Sequence, residues 1–459
     1  MDLLFKAKAG IARAIGVASR ASGRGGGTTL PGRVLLRLDG EALAKLGREL
    51  DGKVTLVSAS NGKTTTSSMI ANALRAAGHT PVHNHAGSNM AWGVATAMIE
   101  SRGDCGLFEV DEAWLPKVAA AVRPSTVCLG NLFRDQLDRY GELDRIVDEW
   151  SAMVDRLDPG CSLVLNADDP LVASVAGERP ARDIVFFGID DTSHAVEGEV
   201  HASDADLCRR CGGTLEYSVR LMGHIGHYRC PGCGWERPQP QVRATRVEMR
   251  GMDGTVATVQ TPEGEIRLEV PLPGLYNVYN ALAALAVAIA NRIDPQTAAG
   301  GIGSTGAVFG RVEVIAIDDR ELAILLIKNP VGANEVIRTL VDGEADKVTI
   351  PHLWIALNDR IADGRDISWV WDADFERLAG KVGRVTCAGT RAAEMALRLK
   401  YAGIDEDRLH VVGPVDESLD AALAATGEGE RLFALPTYTA LLELRTLLAK
   451  RGLAKDYWE

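Results

Sequence analysis

Short apolar runs and longer segments of helical periodicity alternate along most of the chain. The apolar runs in the first half have the length and composition of buried strands. These predicted strands are Lys53–Val57, Gly106–Val110, Thr126–Leu129, Ser162–Leu165 and Ile184–Phe187. A helix is predicted from Lys63 to Ala77, where Gly78 ends it. Such alternation predicts an α/β fold in which helices cover both faces of a parallel sheet.

A second alternating series begins near Arg311. Its predicted strands are Leu322–Ile327, Leu353–Leu357, Val385–Ala388, His410–Val412 and Leu432–Leu435. Its predicted helices are Ala333–Val341, Arg391–Tyr401, Ser418–Ala425 and Thr439–Lys450. Residues from about 200 to 270 break the alternation with cysteines, short β-like runs and turns, which indicates an insertion. We therefore predict an N-terminal arm (1–38), a central domain (39–308, with an insertion at about 202–240) and a Rossmann-like C-terminal α/β domain (309–459).

The composition is that of a globular protein, since 46% of the 459 residues are hydrophobic and 24% are charged. The net charge of −12 argues against a nucleic-acid partner, because phosphate binding requires clustered Lys and Arg. No apolar run approaches membrane-spanning length. The basic segment Met1–Arg24 is interrupted by Arg13, which argues against a signal peptide. We interpret it as a docking helix or a frayed arm; the alternatives are a transit peptide and a helix lying on a surface.

A strand-to-helix loop of phosphate-binding character follows the first predicted strand and runs from Ser58 to Thr65. In such a loop the backbone N–H groups and the helix dipole face an anion. Gly62 permits close approach, Lys63 supplies a positive charge, and a Thr hydroxyl can hold Mg²⁺. Val57 replaces the first glycine of the general P-loop pattern, so an ordinary polar turn is the alternative from this motif alone.

Two Cys-x-x-Cys pairs lie in the inserted region, separated by 18 residues. The spacing of Cys208, Cys211, Cys230 and Cys233 is typical of a four-thiolate zinc ribbon. Four thiolates leave no open coordination position, so this zinc would be structural; a redox dithiol is the alternative. His224 and His227 lie between the pairs, and we interpret them as surface residues or as neighbours of the ligands. The remaining cysteines lie singly in apolar segments, which indicates a reducing, cytosolic environment.

The phosphate loop resembles the G-T-N-G-K-T-T loop of the Mur ligase superfamily, with Ala59 and Ser60 in place of Gly-Thr. Four further segments resemble motifs of these enzymes in the same order. They are Asn131–Gly141, Asn166–Asp169, Leu272–Ala281 and Phe309–Glu313. The resemblance implies an ATP-dependent enzyme that activates a carboxylate as an acyl phosphate, which an amine then attacks.

Residue roles are implied by the same resemblance. ATP would be bound by Asn61, Gly62, Lys63, Thr64, Thr65, Asn277, Asn280 and Arg311. Thr64 and Glu109 would be magnesium ligands. Gln136 stands where many relatives have a metal-binding His, and Leu325–Pro330 lacks the Asp and His of the family's D-Y-A-H-N-P segment. This second departure argues against addition of an amino acid in the usual Mur ligase reaction.

The C-terminal half resembles a narrower group, the MurT family. The similar segments are Asn358–Asp372, Gly389–Gly403 and Leu435–Leu442, and the Gly-rich start and the four-cysteine insertion also fit. The resemblance implies a synthetase subunit that amidates the D-glutamate α-carboxylate of lipid II in peptidoglycan synthesis, with ammonia from a GatD-type glutaminase subunit. It also implies ATP, Mg²⁺ and structural Zn²⁺ as cofactors, and a cytoplasmic enzyme acting at the inner face of the bacterial cell membrane.

Asp359 is the catalytic residue that this resemblance implies. It either works at the amidation site or orients the catalytic His of the partner across an interface. From composition alone, capping of a helix is the favoured role for an Asp at a strand end. Two other functions are kept as alternatives: a ligase of the Mur or folylpolyglutamate type that adds an amino acid, and a nucleotide-binding scaffold protein.

Overall fold

Two sheets, each covered by helices, form the body of the protein in a computed structural model. The structure describes residues 3–21, 29–84, 88–134, 143–177, 179, 182–196, 203–306, 311–341 and 350–454. Within these residues the first sheet has nine strands and the second has six, and a two-stranded hairpin lies outside both. The predicted α/β class with two sheet domains is confirmed.

The first sheet has the strand order β11-β10-β9-β6-β5-β4-β1-β3-β2. Its first six strands are β1 (Val54–Ser58), β2 (Pro81–His83), β3 (Cys105–Glu109), β4 (Thr126–Leu129), β5 (Ser162–Asn166) and β6 (Ile184–Ile189). They pair in parallel, as the alternating sequence predicts. The four strands at positions 54–58, 105–109, 126–129 and 162–166 are buried along their whole length. This burial on both faces explains why they appear as continuous apolar runs in the sequence.

Seven α-helices of the described residues belong to this domain. They are α4 (Lys63–Ala76), α5 (Ala91–Glu100), α6 (Leu115–Val122), α7 (Leu143–Arg156), α8 (Pro170–Ser174), α9 (Leu275–Ala290) and α10 (Pro295–Gly303). Helix α9 carries the longest apolar run of the sequence and is buried along almost its entire length. It therefore forms the centre of the domain core, packed between the sheet and helix α4.

The region from 200 to 270 is an insertion only in part. β7 (Glu216–Met222) and β8 (Ile225–Arg229) form the separate hairpin. β9 (Val242–Met249), β10 (Thr255–Thr261) and β11 (Gly264–Val270) instead extend the first sheet. β9 is parallel to β6, whereas β10 is antiparallel to both of its neighbours. β9 and β11 mix buried and exposed side chains, and because of their polar positions too large an insertion was predicted from the sequence.

In the described part of the N-terminal segment, three α-helices precede the first sheet: α1 (Leu3–Ala21), α2 (Leu30–Leu38) and α3 (Ala42–Gly47). Helix α1 packs on α2 and α5, with Phe5, Ala9 and Ala12 buried in a small apolar cluster. It is therefore a docked helix, one of the two structures that we expected for this segment. In the part of the chain that the structure describes, no helix combines the length and the apolar character needed to cross a bilayer.

The second sheet has the strand order β12-β13-β17-β14-β15-β16. Its strands are β12 (Arg311–Ile317), β13 (Arg320–Leu325), β14 (Ile350–Ala356), β15 (Val382–Ala388), β16 (Leu409–Val411) and β17 (Arg431–Pro436). Its helices are α11 (Pro330–Val341), α12 (Ala392–Tyr401), α13 (Val415–Ala425) and α14 (Tyr438–Lys450). All pairs are parallel except the edge hairpin β12–β13. The boundary proposed at 308/309 stays a prediction, since residues 307–310 are outside the described chain.

Candidate functional site

The phosphate loop connects β1, a central strand of the first sheet, to the N-terminus of α4. Gly62 is the residue immediately before the helix and has a φ of 86°, in the left-handed region that favours glycine. A Cβ on Gly62 would lie 2.1 Å from Oδ1 of Asn280. Two observations therefore require glycine at this position: the left-handed backbone conformation and the close approach of α9. Thr64 is half-buried and Thr65 buried in the first helical turn, where free N–H groups can bind an anion.

Residues 131–133 hold the loop in place. The backbone N–H of Asn61 donates to Oδ1 of Asn131 at 2.8 Å, and Nδ2 of Asn131 donates to the carbonyl of Asn61 at 2.9 Å. The hydroxyl of Ser60 donates to the Phe133 carbonyl at 3.0 Å and accepts from the Phe133 N–H at 2.9 Å. The motif beginning at Asn131 thus works as a frame for the phosphate loop. Gln136, in the same motif, lies outside the described residues.

Lys63 points into a cluster of carboxylates. Its Nζ donates to Oε2 of Glu112 at 2.9 Å and also to the carbonyl of Ala59. Burial would lower the pKa of Lys63, but the charges of Glu112, Asp111 and Glu109 outweigh it and raise this pKa. Lys63 is therefore a permanent cation that three buried carboxylates hold at the start of α4.

The carboxylates lie at the end of β3, beside the loop. Asn84 fixes this strand end, because its Oδ1 accepts from the N–H of Glu109 and its Nδ2 donates to the Glu109 carbonyl, both at 2.9 Å. Carboxylate and hydroxyl oxygens are ligands that Mg²⁺ prefers, so Thr64 and Glu109 lie in a region of suitable chemistry. The sequence analysis missed Asn84, Asp111 and Glu112. The run Glu109–Glu112 at a strand end was a signal that could have identified the two acids.

The two asparagines of α9 have different positions. The side chain of Asn280 lies on Gly62 and accepts from Oγ1 of Thr66 at 3.1 Å. Asn277 lies behind it, with Oδ1 accepting from Asn280 at 3.0 Å and Nδ2 donating to the Pro273 carbonyl at 2.8 Å. Asn280 thus borders the space beside the loop, whereas Asn277 orients Asn280. Residue Arg311 begins β12, and its side chain is outside the described part of the structure.

A cleft of about 720 Å³, partly open to solvent, separates the phosphate loop from the C-terminal domain. Its walls include Asn61, Gly62 and Asn280 on one side and Lys328, Val331 and Glu335 on the other, together with aromatic and apolar side chains. Two contacts cross it directly. Nζ of Lys328 donates to the Ser60 carbonyl at 2.9 Å, and Nδ2 of Asn329 donates to Oδ1 of Asn61 at 3.0 Å. The Lys328–Asn329 segment therefore places the second domain on the phosphate loop.

A buried polar network links the four-cysteine insertion to α9. Asp168 accepts from Nε of Arg237 at 2.5 Å and from the hydroxyl of Tyr279 at 2.7 Å. Burial raises the pKa of Tyr279 well above its ordinary value, and the charge of Asp168 adds to this effect. Arg237 lies four residues after Cys233 in the insertion, and Tyr279 lies between the two asparagines of α9. The insertion and the phosphate-loop side of the cleft are therefore coupled through Asp168.

The four cysteine sulfurs converge to within 4.8 Å of one another. The Cys208–Cys233 and Cys211–Cys230 sulfur distances are 3.7 and 3.5 Å. A tetrahedral zinc with Zn–S bonds near 2.3 Å would separate its sulfurs by about 3.8 Å. Each pair lies on a tight turn in which the N–H of Gly212 or Gly234 donates to the carbonyl of the first cysteine. The four cysteines are thus brought together as predicted and fit a metal ion.

His224 is not a surface residue, as the sequence analysis suggested, but is completely buried. Its ring packs on Phe133 with centroids 4.7 Å apart, and its Nε2 lies 3.4 Å from Oδ1 of Asp169. Asp169 also accepts from the N–H of Leu132 at 2.9 Å. His224, in the turn between β7 and β8, therefore packs against the frame of the phosphate loop and not against the cysteines.

Asp359 follows β14, a central strand of the second sheet, and is half-buried. Its carboxylate accepts from Oγ1 of Thr390 and from Nε of Arg391, both at 2.8 Å. The Thr390 hydroxyl lowers the pKa of Asp359, and the bond and charge of Arg391 lower it further against the opposing effect of burial. The hydrogen bonds that this carboxylate accepts come from Thr390 and Arg391, on the loop after β15, so the capping role is not supported. An open depression surrounds it, lined by Arg360, Ile361, Ala362, Arg365, Arg391 and Thr439.

Comparison with known proteins gives consistent matches. The family description "Mur ligase middle domain" matches residues 57–228 and 233–288, and "MurT ligase C-terminal" matches 326–441. The lipid II isoglutaminyl synthase (glutamine-hydrolyzing) subunit MurT of Streptococcus pneumoniae is 32% identical, covering 94% of each chain. Among solved structures, a pseudomurein peptide ligase type C from Methanothermus fervidus has a TM-score of 0.68 at 22% identity, covering 89% of this chain and 80% of that one. Folylpolyglutamate synthase of Mycobacterium tuberculosis, complexed with ADP, has a TM-score of 0.62 at 14% identity, covering 88% and 93%.

Proposed function

Because the chain belongs to the MurT family of the Mur ligase superfamily, we propose that it is the synthetase subunit of a lipid II isoglutaminyl synthase. The enzyme is an ATP-dependent carbon–nitrogen ligase of peptidoglycan synthesis. It converts the α-carboxylate of D-glutamate in lipid II to the amide, with glutamine as the nitrogen source. The nitrogen reaches this chain as ammonia from a glutaminase partner of the GatD type.

The observation that carries the proposal is the position of Lys63. It is a buried cation at a helix N-terminus, surrounded by carboxylates, and directly follows Gly62, which lines the cleft between the domains. ATP bound there would place its phosphates against the N–H groups that follow Gly62. The substrate carboxylate would attack the terminal phosphorus, releasing ADP and forming an acyl phosphate, while Lys63 stabilises the developing charge. Ammonia would then attack the acyl carbon, releasing phosphate and a proton.

Two metal ions fit this scheme. Thr64 and Glu109 are the side chains that would hold Mg²⁺, which supplies charge neutralisation between the phosphate groups. Asp111 and Glu112 lie in the same acidic cluster and would pair with Lys63 when no nucleotide is bound. The four cysteines would hold Zn²⁺ in a structural site, since they leave no ligand position for a reactant.

The C-terminal domain is the proposed docking site of the glutaminase. Asp359 lies in an open depression, where another protein can reach it, and not in the cleft beside the phosphate loop. We assign it the role of orienting the catalytic His of the partner and stabilising the charged ring, with Arg391 and Thr390 fixing its own position. With lipid II as its substrate, the enzyme would work at the inner face of the cell membrane.

The absence of acidic and imidazole side chains from Leu325–Pro330 favours ammonia over an amino acid as the nucleophile. Within this segment, Lys328 and Asn329 contact the phosphate loop. The segment would therefore not form a binding site for an amino acid. The test is ADP release by the purified complex with glutamine, ammonium or single amino acids as the nitrogen source. Release with glutamine and ammonium, together with conversion of the substrate carboxylate to an amide by mass spectrometry, is expected. Release only with an amino acid would reject the proposal.

A further inference from the structure

Helix α1 has two apolar faces, of which the fold covers only one. The inner face packs on α2 and α5 through Phe5, Ala9 and Ala12. The contact is tight, since a Cβ on Gly16 would lie 2.5 Å from Cγ of Pro31. The helix is therefore fixed to the domain, and its outer face keeps a defined orientation.

The outer face consists of large apolar side chains in contact with solvent. Leu4, Ile11 and Ile15 are 67, 53 and 37% exposed and are spaced by seven and four residues, which places them on one stripe of the helix. Leu3 and Val17 flank the stripe and are 86 and 60% exposed. Leu4, Ile11 and Ile15 therefore form an exposed apolar stripe along a helix of 19 residues, and Leu3 and Val17 add exposed apolar side chains elsewhere on its solvent-facing half. We call these five residues the outer face of α1.

The segment around this face is strongly basic, in contrast to the rest of the chain. Residues 1–38 contain seven Lys and Arg residues and one acidic residue, although the whole chain has a net charge of −12. Lys6 is an exposed cation on α1, whereas Arg13 donates from Nε to the Ile99 carbonyl of α5. Arg33 and Arg37 add exposed cations on α2. An apolar stripe flanked by cations is the pattern of a helix that lies in the interface of an anionic lipid bilayer.

We propose that the outer face of α1 docks the enzyme onto an anionic membrane surface, with Leu4, Ile11 and Ile15 inserted at the level of the acyl-chain boundary. Lys6 can then reach the phosphate groups while its stem covers apolar surface. The basic charge selects an anionic lipid surface over a protein partner as the occupant. The inference rests on the proposed function, because a lipid-linked substrate requires the enzyme to work beside a bilayer.

Co-sedimentation of the full chain with lipid vesicles tests the inference. Binding is expected to vesicles containing about one-third phosphatidylglycerol, to weaken with salt, and to be much weaker with phosphatidylcholine alone. The triple variant Leu4→Glu, Ile11→Glu and Ile15→Glu should reduce binding about tenfold or more, because carboxylates are repelled by the anionic surface. The matched control is Val411→Glu, since Val411 is 53% exposed like Ile11 but lies in the C-terminal domain. It should bind vesicles as the unchanged protein does.

The outcomes separate this inference from the proposed function. With a water-soluble, lipid-free substrate, the triple variant should amidate at the rate of the unchanged complex, and with vesicle-embedded lipid II it should be slower. Should the triple variant be unstable, Ile11→Glu alone is compared in the same way. Failure of the unchanged protein to bind anionic vesicles, or equal binding by the variants, would overturn the docking role while amidation of the soluble substrate still stands. Loss of the glutaminase subunit from the variant, with vesicle binding unchanged, would show a protein interface and also overturn it.

Discussion

Lys63 and Asp359 each follow a central strand of their own sheet, yet their surroundings are opposite. Lys63 is buried, faces three carboxylates and lies beside a cleft that both domains line. Asp359 is half-buried, binds Thr390 and Arg391, and faces an open depression. The carboxyl ends of parallel strands collect functional side chains in both domains. The buried surroundings of Lys63 suit a nucleotide that the chain encloses. The open depression at Asp359 suits another protein that binds from outside.

Among the predicted changes, removal of the buried cation Lys63 should reduce the rate of amidation most. Lys63→Ala is expected to reduce ATP-dependent amidation by at least about 10³-fold, because the phosphates lose a preorganised charge in a closed site. It should also lower stability by about 3 kcal/mol, since Glu112 remains buried without its partner. Activity and thermal unfolding are measured together, with zinc content as a check of the fold. Lys400→Ala, which removes an exposed lysine paired with Glu406, is the control and should change neither. Near-normal turnover by Lys63→Ala would remove the phosphate-loop assignment.

Neutralising the half-buried carboxylate of Asp359 should reduce the amidation rate less than Lys63→Ala does, and should leave the stability of the protein nearly unchanged. Asp359→Asn is expected to reduce glutamine-dependent amidation by roughly 10²-fold, because the charge that stabilises the imidazolium of the partner is lost. The binding of ATP should not change, since Asp359 is not among the residues lining the cleft. Asp405→Asn, at an exposed ion pair with Arg408, is the matched control and should keep full activity. Full activity of Asp359→Asn with glutamine would reject both catalytic roles.

Loss of the metal should weaken nucleotide binding beside Lys63 and should leave binding of the glutaminase subunit near Asp359 unchanged. Cys230→Ser is expected to remove the zinc, lower the melting temperature and weaken nucleotide binding severalfold, because Arg237 then holds Asp168 less firmly against Tyr279. Binding of the glutaminase subunit should be unchanged. Elemental analysis, thermal unfolding and nucleotide titration measure the three effects. Purified protein without zinc but of full stability would contradict the structural role of the cysteines.

The smallest expected effect concerns pH. The pKa of Asp359 lies below the ordinary value of 3.8 because of Thr390 and Arg391. Its contribution is therefore complete above about pH 4 and is lost as the pH falls through the lowered pKa. The stability term should stay below about 1 kcal/mol, because the carboxylate is partly exposed. Arg391→Ala should raise the pKa of Asp359 and start the acidic decline of the glutamine-dependent rate at a higher pH. An unchanged pH–rate profile would show that this ion pair does not set the charge of Asp359.

Much of the fold could be predicted because the central strands are buried on both faces and appear as uninterrupted apolar runs. The predicted strand at Thr126–Leu129 has the bounds of β4, and the helix after Gly62 begins at Lys63 as predicted. The partly exposed strands β9 and β11 were not predicted as strands of the first sheet, because their polar positions interrupt the apolar runs. They were assigned to the insertion instead. An alternating pattern of this kind specifies a strand only when the face that it buries is known.

The candidate site was predicted where chemistry is local in sequence. The two Cys-x-x-Cys pairs and the loop at Gly62–Thr65 each carry their own spacing. The partner of Lys63 was not predicted, because Glu112 comes close only when β1 pairs with β3. The same applies to Asp168 and Arg237, which meet through the pairing of β6 with both β5 and β9. Interactions that depend on sheet order require the tertiary structure.

Lys63 and Asp359 are assigned separate roles, in ATP-dependent activation and in the supply of ammonia by the partner. The most direct test of this assignment is to find which nitrogen source each variant can use. Amide formation on a lipid II-type precursor is followed by mass spectrometry for Lys63→Ala and Asp359→Asn, in the complex with the glutaminase subunit, with glutamine or with ammonium chloride. We predict that Lys63→Ala is inactive with both sources, and that ammonium restores Asp359→Asn to near the rate of the unchanged complex. Failure of ammonium to restore Asp359→Asn would place Asp359 in acyl transfer and contradict the division of roles.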